Sequence, residues 1–199
     1  MDTTHSFDEK TRCIWPGSDQ LMLAYHDTEW GVPEHNDRKL FELLILDNAQ
    51  AGLSWSTILK KRENYREALD NFKPEKIALY SEAKYAQLMD NSGIIRNKLK
   101  IKSHIQNAQA FLRIQKEFGT FDSYIWKFVG GTPITNNWTD QKNLPDKTPL
   151  AEEISTDIKR RGMNFVGPTI IYAWMQSIGL VNDHLVSCFR HSQIISLPK

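Results

Sequence analysis

The sequence has few of the features that mark secreted or membrane proteins. Its 199 residues include only two cysteines, Cys13 and Cys188, which lie near opposite ends of the chain. A single distant pair is not the disulfide framework of a small secreted domain. The longest apolar runs, such as TIIYAWM at 169–175, are too short to cross a bilayer, and the N-terminus does not resemble a signal peptide. We therefore expect a cytoplasmic protein without a membrane segment.

A large excess of charge of one sign is also absent. The formal net charge is +1, and this value leaves nucleic acid open as a partner, because a nearly neutral protein can carry a basic face. Tryptophan is plentiful near the start of the chain, where Trp15, Trp30 and Trp55 are three of the six. Since core packing is the simplest explanation of a tryptophan, the clustering alone does not assign a function.

Signals for β-strands are absent as well. No segment alternates strictly between apolar and polar residues, and no Asn-Gly or Asp-Gly hairpin turn occurs. Apolar residues recur instead at intervals of three and four, which is typical of helices that pack one face against a core. The pattern predicts an all-α protein of about seven to ten helices. The predicted helical segments are 37–50, 55–69, 75–80, 82–90, 96–118, 121–129, 149–161 and 166–178.

Capping residues support several of these boundaries. Asp37 and Ser54 are predicted N-caps, because their side-chain oxygens can accept backbone N–H groups. Thr148 precedes a proline, which is typical of a cap followed by the first helical position. Gly162 and Gly179 are predicted C-terminal stops.

The stretch DHLVSC places His184 four residues before Cys188. On a helix, this spacing puts both side chains on one face, and imidazole nitrogen and thiolate sulfur both bind zinc. Cys13 and His26 would complete a Cys2His2 set, but the long separation matches no short zinc-finger motif. Spacing alone therefore leaves a structural zinc and a packing accident both open. A zinc with four protein ligands has no open position for activating water, so a zinc hydrolase would need a different ligand set.

The segment 88–103, LMDNSGIIRNKLKIKS, breaks between two helical runs. Gly93 permits a positive φ and close backbone approach, and we expect the next helix to begin near Ile95 with free N–H groups that bind phosphate. Basic side chains follow at Arg96, Lys98, Lys100 and Lys102. A solvated basic face and a hairpin that grips DNA backbone without reading bases both fit this pattern. The basic clusters at 60–66 and 159–161 have the same two explanations.

Seven blocks lie in order along the chain. They are RCIW (12–15), AYHDTEWGVPEHNDRKLFELL (24–44), QAGLSW (50–55), LKKRENYREA (59–68), SGIIRNKLKI (92–101), KRRGMNFVGPTI (159–170) and GLVNDHLVSC (179–188). Together they resemble the 3-methyladenine DNA glycosylase I family of helix-hairpin-helix glycosylases. The resemblance implies an all-α helix-hairpin-helix glycosylase fold, with a zinc-stapled subdomain formed by the N- and C-terminal segments. It also implies a single domain over 12–190, which leaves a second tail at 191–199. Residues 1–11 are polar, and we expect them to form a disordered tail.

The resemblance implies an enzyme that flips 3-methyladenine out of alkylated double-stranded DNA and hydrolyses the base–sugar bond. An abasic site remains, without strand cleavage. Nothing in the sequence suggests an obligate dimer, so we expect a monomer. One structural zinc is implied on Cys13, His26, His184 and Cys188. The implied base-binding residues are Trp15, Tyr25, Trp30 and Trp55. The implied DNA contacts are Leu53 as the plug for the gap in the helix, Gly52 beside it, and Gly93, Arg96 and Lys98 at the phosphates.

The chain departs from the family at the glutamate that contacts the base, where ILDNAQAGLSW has Asp47. The shorter carboxylate can still accept a hydrogen bond from the base, and its charge favours a cationic ring; a bridging water can supply the missing reach. An ordinary aspartate on a helix surface or in a C-terminal turn is the alternative. Asn48 and Ala49 also differ from the family's Gly-Gln. The catalytic aspartate of many helix-hairpin-helix glycosylases is missing, since Asp122 is predicted to cap the helix that carries Tyr124.

Methylation at N3 makes adenine cationic and weakens its glycosidic bond. A cationic ring over an aromatic face gains about 0.5–2 kcal/mol per good contact, whereas neutral adenine gains less. With so good a leaving group, the enzyme need not protonate the base, and positioning can supply much of the acceleration. The competing hypothesis is a non-catalytic module that binds alkylated or abasic DNA, in which Asp47 marks lost activity.

Overall fold

The computed structural model describes residues 10–197, and this part of the chain is almost entirely helical. Its α-helices are α1 (Gln20–Thr28), α2 (Asp37–Gln50), α3 (Trp55–Ala68), α4 (Pro74–Ile77), α5 (Glu82–Asp90), α6 (Lys98–Phe118), α7 (Phe121–Trp126), α8 (Pro149–Arg160), α9 (Pro168–Ser177) and α10 (Phe189–Ile195). Short 3-10 turns lie at Asp70–Phe72, Lys127–Val129 and Gln141–Asn143. The predicted all-α class is confirmed. No helix within 10–197 is long and apolar enough to span a membrane.

Helices α1 and α10 escaped the sequence-based prediction. The buried face of α1 consists of Tyr25 and His26, and that of α10 consists of His191 and Ile194. Because these faces hold few aliphatic side chains, the apolar period that marks a core helix is weak in both. Residues 191–195, predicted as part of a tail, therefore belong to α10. Disorder was predicted for residues 1–11, and residues 1–9 of that tail lie outside the described part of the chain.

One short strand pair was also missed. Residues Ile134–Thr135 (β1) pair in parallel with Val181–Asn182 (β2). A strand of two residues is too short to show alternation, so sequence patterns could not have found it. The pair fixes the long loop 130–147 beside the segment that leads to His184.

Two capping predictions are confirmed. The hydroxyl of Ser54 accepts the N–H of Thr57 at 3.2 Å, and that of Thr148 accepts the N–H of Ala151 at 3.2 Å. Gly162 and Gly179 both have positive φ just beyond their helices, as a C-terminal stop requires.

Two other capping predictions are wrong. Asn36, and not Asp37, caps α2. The Asp37 carboxylate instead accepts the N–H groups of Phe121 and Asp122, each at 2.8 Å, at the start of α7. The local N-cap of α7 is Thr120, the residue directly before the helix. The Asp122 carboxylate instead lies 2.8 Å from Nδ1 of His35. The acidic side chain caps a helix that is distant in sequence, which local patterns do not reveal.

Helix α2 runs through the centre of the molecule. Every residue from Leu40 to Ala49 is buried, and the helix packs against α3, α6, α7 and α9. A helix that is apolar around most of its circumference is stable only when neighbours cover it on all sides. The central position of α2 places Asp47 in the interior rather than on the surface.

A second, smaller apolar cluster joins the two ends of the chain. It contains Cys13, Tyr25, Trp30, Leu59, Leu185 and Cys188. Residues 13–30 and the last segment before α10 therefore meet in one place, as the predicted subdomain of N- and C-terminal segments requires.

Candidate active site and metal centre

Four buried side chains meet where the chain ends come together. The ligand atoms of Cys13, His26, His184 and Cys188 all lie within 4.8 Å of one another. Cys188 Sγ is 3.5 Å from His184 Nδ1 and 3.6 Å from His26 Nε2, and Cys13 Sγ is 3.7 Å from His184 Nδ1. A tetrahedral zinc with ordinary Zn–S and Zn–N bonds separates sulfur from nitrogen by about 3.6 Å. The four residues therefore fit a tetrahedral metal ion.

The expectation that His184 and Cys188 share a helix face is wrong. Residues 183–187 are irregular or in turns, and Cys188 is the N-cap of α10. A turn closed by the Cys188 N–H and the Leu185 carbonyl, at 2.8 Å, brings the two side chains together instead.

Hydrogen bonds hold both imidazoles in the orientation that a metal requires. His184 Nε2 is 3.0 Å from the Trp30 carbonyl, and His26 Nδ1 is 2.7 Å from Asp27 Oδ1. In a neutral imidazole that donates through this nitrogen, the opposite nitrogen, which faces the cluster, carries the lone pair that binds a metal. Arg12 in turn binds the Asp27 carboxylate at 2.7 Å.

The two thiols also influence each other. Their mutual hydrogen bond raises the pKa of Cys13 and lowers that of Cys188. A cation at the centre of the cluster would favour the thiolate form of both.

A cavity of about 230 Å³ adjoins the metal cluster. It is lined by Trp15, Tyr25, Trp30, Asp47, Gln50, Trp55, Gln141, Leu144, Ala173 and Gln176. The structure thus brings the four aromatic residues singled out in the sequence together with Asp47, although they come from three separate segments.

The aromatic rings of the cavity meet at steep angles. Trp15 lies 5.1 Å from Trp30 at 68°, and Tyr25 lies 5.2 Å from Trp55 at 53°. Edge-on and tilted contacts are favourable between aromatic rings. They orient the ring planes of the cavity wall at different angles. The His184 ring packs edge-on against Trp30 at 4.6 Å, so the metal cluster directly supports one wall.

Asp47 is the only carboxylate among the residues that line this cavity. It is 3% exposed, which rules out the helix-surface alternative. Burial raises its pKa to about 7, against the opposing hydrogen bond from the Ser177 hydroxyl at 2.8 Å. Burial and the nearby Asp47 also raise the pKa of Tyr25, whose hydroxyl stays protonated. Asp47 can therefore change its charge near neutral pH when a cation enters.

The sequence did not identify five residues of the cavity wall, namely Gln50, Gln141, Leu144, Ala173 and Gln176. Gln141 and Leu144 belong to the loop 130–147, whose role the sequence left open. Three wall residues carry a buried polar atom without a hydrogen-bond partner in the described structure: Trp15 Nε1, Trp55 Nε1 and Gln141 Oε1. An unpaired buried polar group costs free energy. A ligand that forms hydrogen bonds with these atoms would recover that free energy.

Asp183 fixes the loop against the cavity. Its buried carboxylate accepts hydrogen bonds from Asn136 at 2.7 Å, Trp138 at 2.8 Å, Tyr172 at 2.6 Å and Gln176 at 2.7 Å. One side chain thereby connects the loop, α9 and the segment before His184. No signal in the sequence marked Asp183 beyond its place next to that histidine.

The turn between α2 and α3 stands at the surface beside the cavity. Gly52 has φ +76°, which a residue with a side chain rarely adopts. Leu53 follows and is 41% exposed, so its side chain is accessible at the surface. Trp55 of the cavity wall lies two residues further along the chain.

The hairpin between α5 and α6 differs from its prediction in two respects. Helix α6 begins at Lys98, not near Ile95, and the Asn97 side chain already accepts two of its first N–H groups. Gly93 does not have a positive φ. It is required for close approach instead, because a Cβ there would lie 2.9 Å from Asn91 Oδ1. Arg96 and Lys98 are exposed beside it.

Most arginines of the other two basic clusters form ion pairs within the protein. Arg62 and Arg66 both bind Glu42 at 2.7 Å, and Arg161 binds Asp157 at 2.7 Å. In the 60–66 cluster, Lys61 reaches the hairpin, where its Nζ lies 3.0 Å from the Ser92 carbonyl.

Comparison with known proteins agrees along nearly the whole chain. The family model described as "Methyladenine glycosylase" matches residues 15–191. The chain is 46% identical over 178 residues to the DNA-3-methyladenine glycosylase of Haemophilus influenzae, covering 89% of this chain and 96% of the relative. It is 45% identical over 177 residues to DNA-3-methyladenine glycosylase 1 of Escherichia coli, covering 89% and 95%. The solved 3-methyladenine DNA glycosylase I of Staphylococcus aureus is 33% identical, with a TM-score of 0.88 and coverage of 94% and 97%.

Proposed function

The chain belongs to the methyladenine glycosylase family, and from this premise we propose that it removes 3-methyladenine from alkylated double-stranded DNA. The product is an abasic site with an unbroken strand. The observation that carries the proposal is a cavity that combines four aromatic side chains with one buried carboxylate. This combination suits a flat, cationic base.

Access to the base requires that the nucleotide leave the duplex, because the glycosidic bond of a stacked base is out of reach. The exposed Arg96 and Lys98 hold the phosphates next to the lesion. Leu53, which projects from the surface beside the cavity, fills the space that the base vacates. Gly52 allows the tight turn that presents it.

Capture of the base depends on its positive charge. The faces of Trp15, Tyr25, Trp30 and Trp55 attract a cationic ring. Asp47 adds an opposite charge inside the cavity, where a low dielectric strengthens the attraction. Neutral adenine gains neither of these contributions in full, so the charge of the lesion supplies much of the selectivity.

Cleavage needs little acid catalysis, since N3-methylated adenine is already a good leaving group. The ionised Asp47 holds the cationic base before the bond breaks. As water attacks the sugar carbon, the base leaves with the electrons of the glycosidic bond as neutral 3-methyladenine, and the attacking water loses one proton to solvent. No lysine is among the residues that line the cavity, so we assign no Schiff-base chemistry and no strand cleavage.

The metal is assigned as one structural zinc on Cys13, His26, His184 and Cys188. Two thiolates and two imidazoles are a preferred set for this ion, and four protein ligands leave no position for a reacting water. The ion would brace the Trp30 wall through His184. Elemental analysis of the purified protein should give about one zinc per chain, and another metal in its place would refute the assignment.

The direct test of the activity is incubation with duplex DNA treated with a methylating agent. Chromatography should detect free 3-methyladenine, and gel analysis should show strand breaks only after alkali treatment. The variant Asp47→Asn, which keeps the shape of the side chain but not its charge, is the matched control and should release much less. No release by the wild type, while a known glycosylase works in the same assay, would refute the proposal.

The variant Asp47→Glu separates the enzyme from the competing binding module. The module hypothesis predicts that wild type binds lesions without turnover and that glutamate restores excision. Under the proposed activity, wild type already turns over, and glutamate changes the rate only modestly.

A further inference from the structure

Lys100 connects two parts of the structure that the proposed function uses separately. It lies in the first turn of α6, directly after the hairpin, yet only 5% of the residue is exposed. Its Nζ is 2.8 Å from the carbonyl of Ala49 and 2.6 Å from that of Ala51. Those carbonyls stand at the C-terminal end of α2, where they have no partners within the helix.

Important residues lie close to both ends of this contact. On the α2 side, Asp47 is two residues before the first bound carbonyl, and Leu53 is two residues after the second. On the α6 side, Lys98 is two residues before Lys100. The two helices also meet at Ser103, whose Oγ lies 2.7 Å from the Lys100 carbonyl and 3.1 Å from Asn48 Oδ1.

We propose that Lys100 is a positioning residue, whose ammonium fixes the Gly52–Leu53 turn relative to the hairpin that grips the DNA backbone. This inference rests on the proposed function. When the hairpin engages the phosphates, Leu53 is held at a set distance from them. It then enters the duplex in register with the nucleotide that leaves.

Stability alone does not explain a lysine at this position. Burial of an ammonium group is costly, and burial lowers the pKa of Lys100. Buried charged groups can often be replaced by apolar residues of similar volume with little loss of stability. The lysine differs from such residues in holding two carbonyls of one turn at the same time, which fixes the orientation of that turn.

The first test compares two activities of Lys100→Met. Affinity for free 3-methyladenine, followed by tryptophan fluorescence, does not require the plug and should stay within about twofold. Excision from alkylated duplex DNA should fall by about 10- to 100-fold, the size expected when a reacting group is misplaced by about 1 Å. Equal losses in both assays would indicate general damage to the site and would overturn the proposal.

The second test is a double-mutant cycle with Leu53→Ala. If Lys100 acts through the turn, the double variant should lose little more excision activity than the worse single variant. Lys102→Met is the matched control, because Lys102 is exposed on the same helix. Its removal takes away the same charge without touching the two carbonyls, so its effect should combine additively with Leu53→Ala.

Additive losses for Lys100→Met and Leu53→Ala would overturn the proposal. Should Lys100→Met fold poorly, the same cycle is run with Lys100→Gln, whose amide can donate but cannot reach both carbonyls, and it is judged by the same criterion. Failure of the proposed function is distinguishable, because in that case the wild type releases no 3-methyladenine at all.

Discussion

Asp47 shows how strongly its surroundings determine the behaviour of one residue. The sequence could only say that a carboxylate stands one methylene short of the family's glutamate. In the fold it is buried, and burial raises its pKa to about 7. The free enzyme therefore holds a mixture of neutral and ionised Asp47 at neutral pH, and only the ionised form attracts a cationic base.

We predict that excision of 3-methyladenine rises with pH as Asp47 loses its proton near pH 7. The value of kcat/KM should increase about tenfold per pH unit below the pKa and level off above it. Asp47→Asn should be less active and flat across the same range. A wild-type profile that is also flat from pH 6 to 8 would show that the charge of Asp47 is not used.

Gln141 illustrates what a sequence cannot show about a binding site. It lies in a loop without periodicity, and only the anchoring of that loop by Asp183 brings it to the cavity. Its Oε1 is buried and has no hydrogen-bond partner among residues 10–197. The exocyclic amino group of 3-methyladenine is a donor that can satisfy this oxygen.

Gln141→Leu should therefore weaken binding of free 3-methyladenine by about five- to tenfold, as expected for one lost hydrogen bond. The matched ligand is 3-methylpurine, which lacks the amino group and should bind both proteins equally. The same loss for both ligands would mean that Gln141 contributes packing alone.

At the scale of elements, the long helix α6 carries Lys100 in its first turn and, one turn later, a buried histidine whose ring forms no hydrogen bond within the described residues. His104 is fully buried, and neither ring nitrogen has a hydrogen-bond partner in the described structure. Burial, followed by the charge of Lys100, lowers the pKa of His104 to about 3. The folded protein therefore keeps this ring neutral at pH values where the unfolded chain protonates it.

We predict that His104→Leu raises the free energy of unfolding at pH 7 by about 1–2 kcal/mol, because two unpaired polar atoms leave the core. The sign of the pH effect follows from the lowered pKa. Stability from the neutral ring is present above pH 6.5 and is lost as the pH falls from there toward 3, by about 1.4 kcal/mol per unit.

Denaturant titrations of wild type and variant at several pH values check this. The difference between them should widen in acid. Buried Asp47 contributes in the opposite direction, since its raised pKa gives stability that is lost as the pH rises from about 4 to 7. The comparison must therefore be made between proteins and not within one curve.

Helices were predictable from the sequence where residues close together in the chain determine them. The long apolar period of α2 and α6 and the caps at Ser54 and Thr148 gave correct helices. Helices α1 and α10, the strand pair and the Asp37 cap depend on contacts between distant residues, which no window of sequence contains. The metal ligands were proposed from residue types and from the family resemblance. Their expected helical arrangement was wrong, because a turn, and not a helix, brings His184 and Cys188 together.

At the scale of the whole molecule, the metal cluster is a cross-link between the first and last segments of the domain. Such a link removes much of the entropy that would oppose bringing those segments together. It also supports the cavity, since His184 bonds to the Trp30 carbonyl and packs against the Trp30 ring.

Removal of the metal by a strong chelator should lower the melting temperature by about 10 °C, which corresponds to roughly 3 kcal/mol for a domain of this size. Affinity for free 3-methyladenine should fall in parallel, and added zinc should restore both. An unchanged affinity after complete metal loss would show that the aromatic wall stands without the cluster.

The meeting of Cys13 and Cys188 has a consequence for chain order. The segments that carry Cys13 and Cys188 meet in one buried cluster. The chain can therefore be joined near this cluster and opened elsewhere without separating the residues that form it. A circular permutant that joins the original ends through a short linker and opens the exposed stretch near Asp146 keeps every wall of the cavity on one continuous chain.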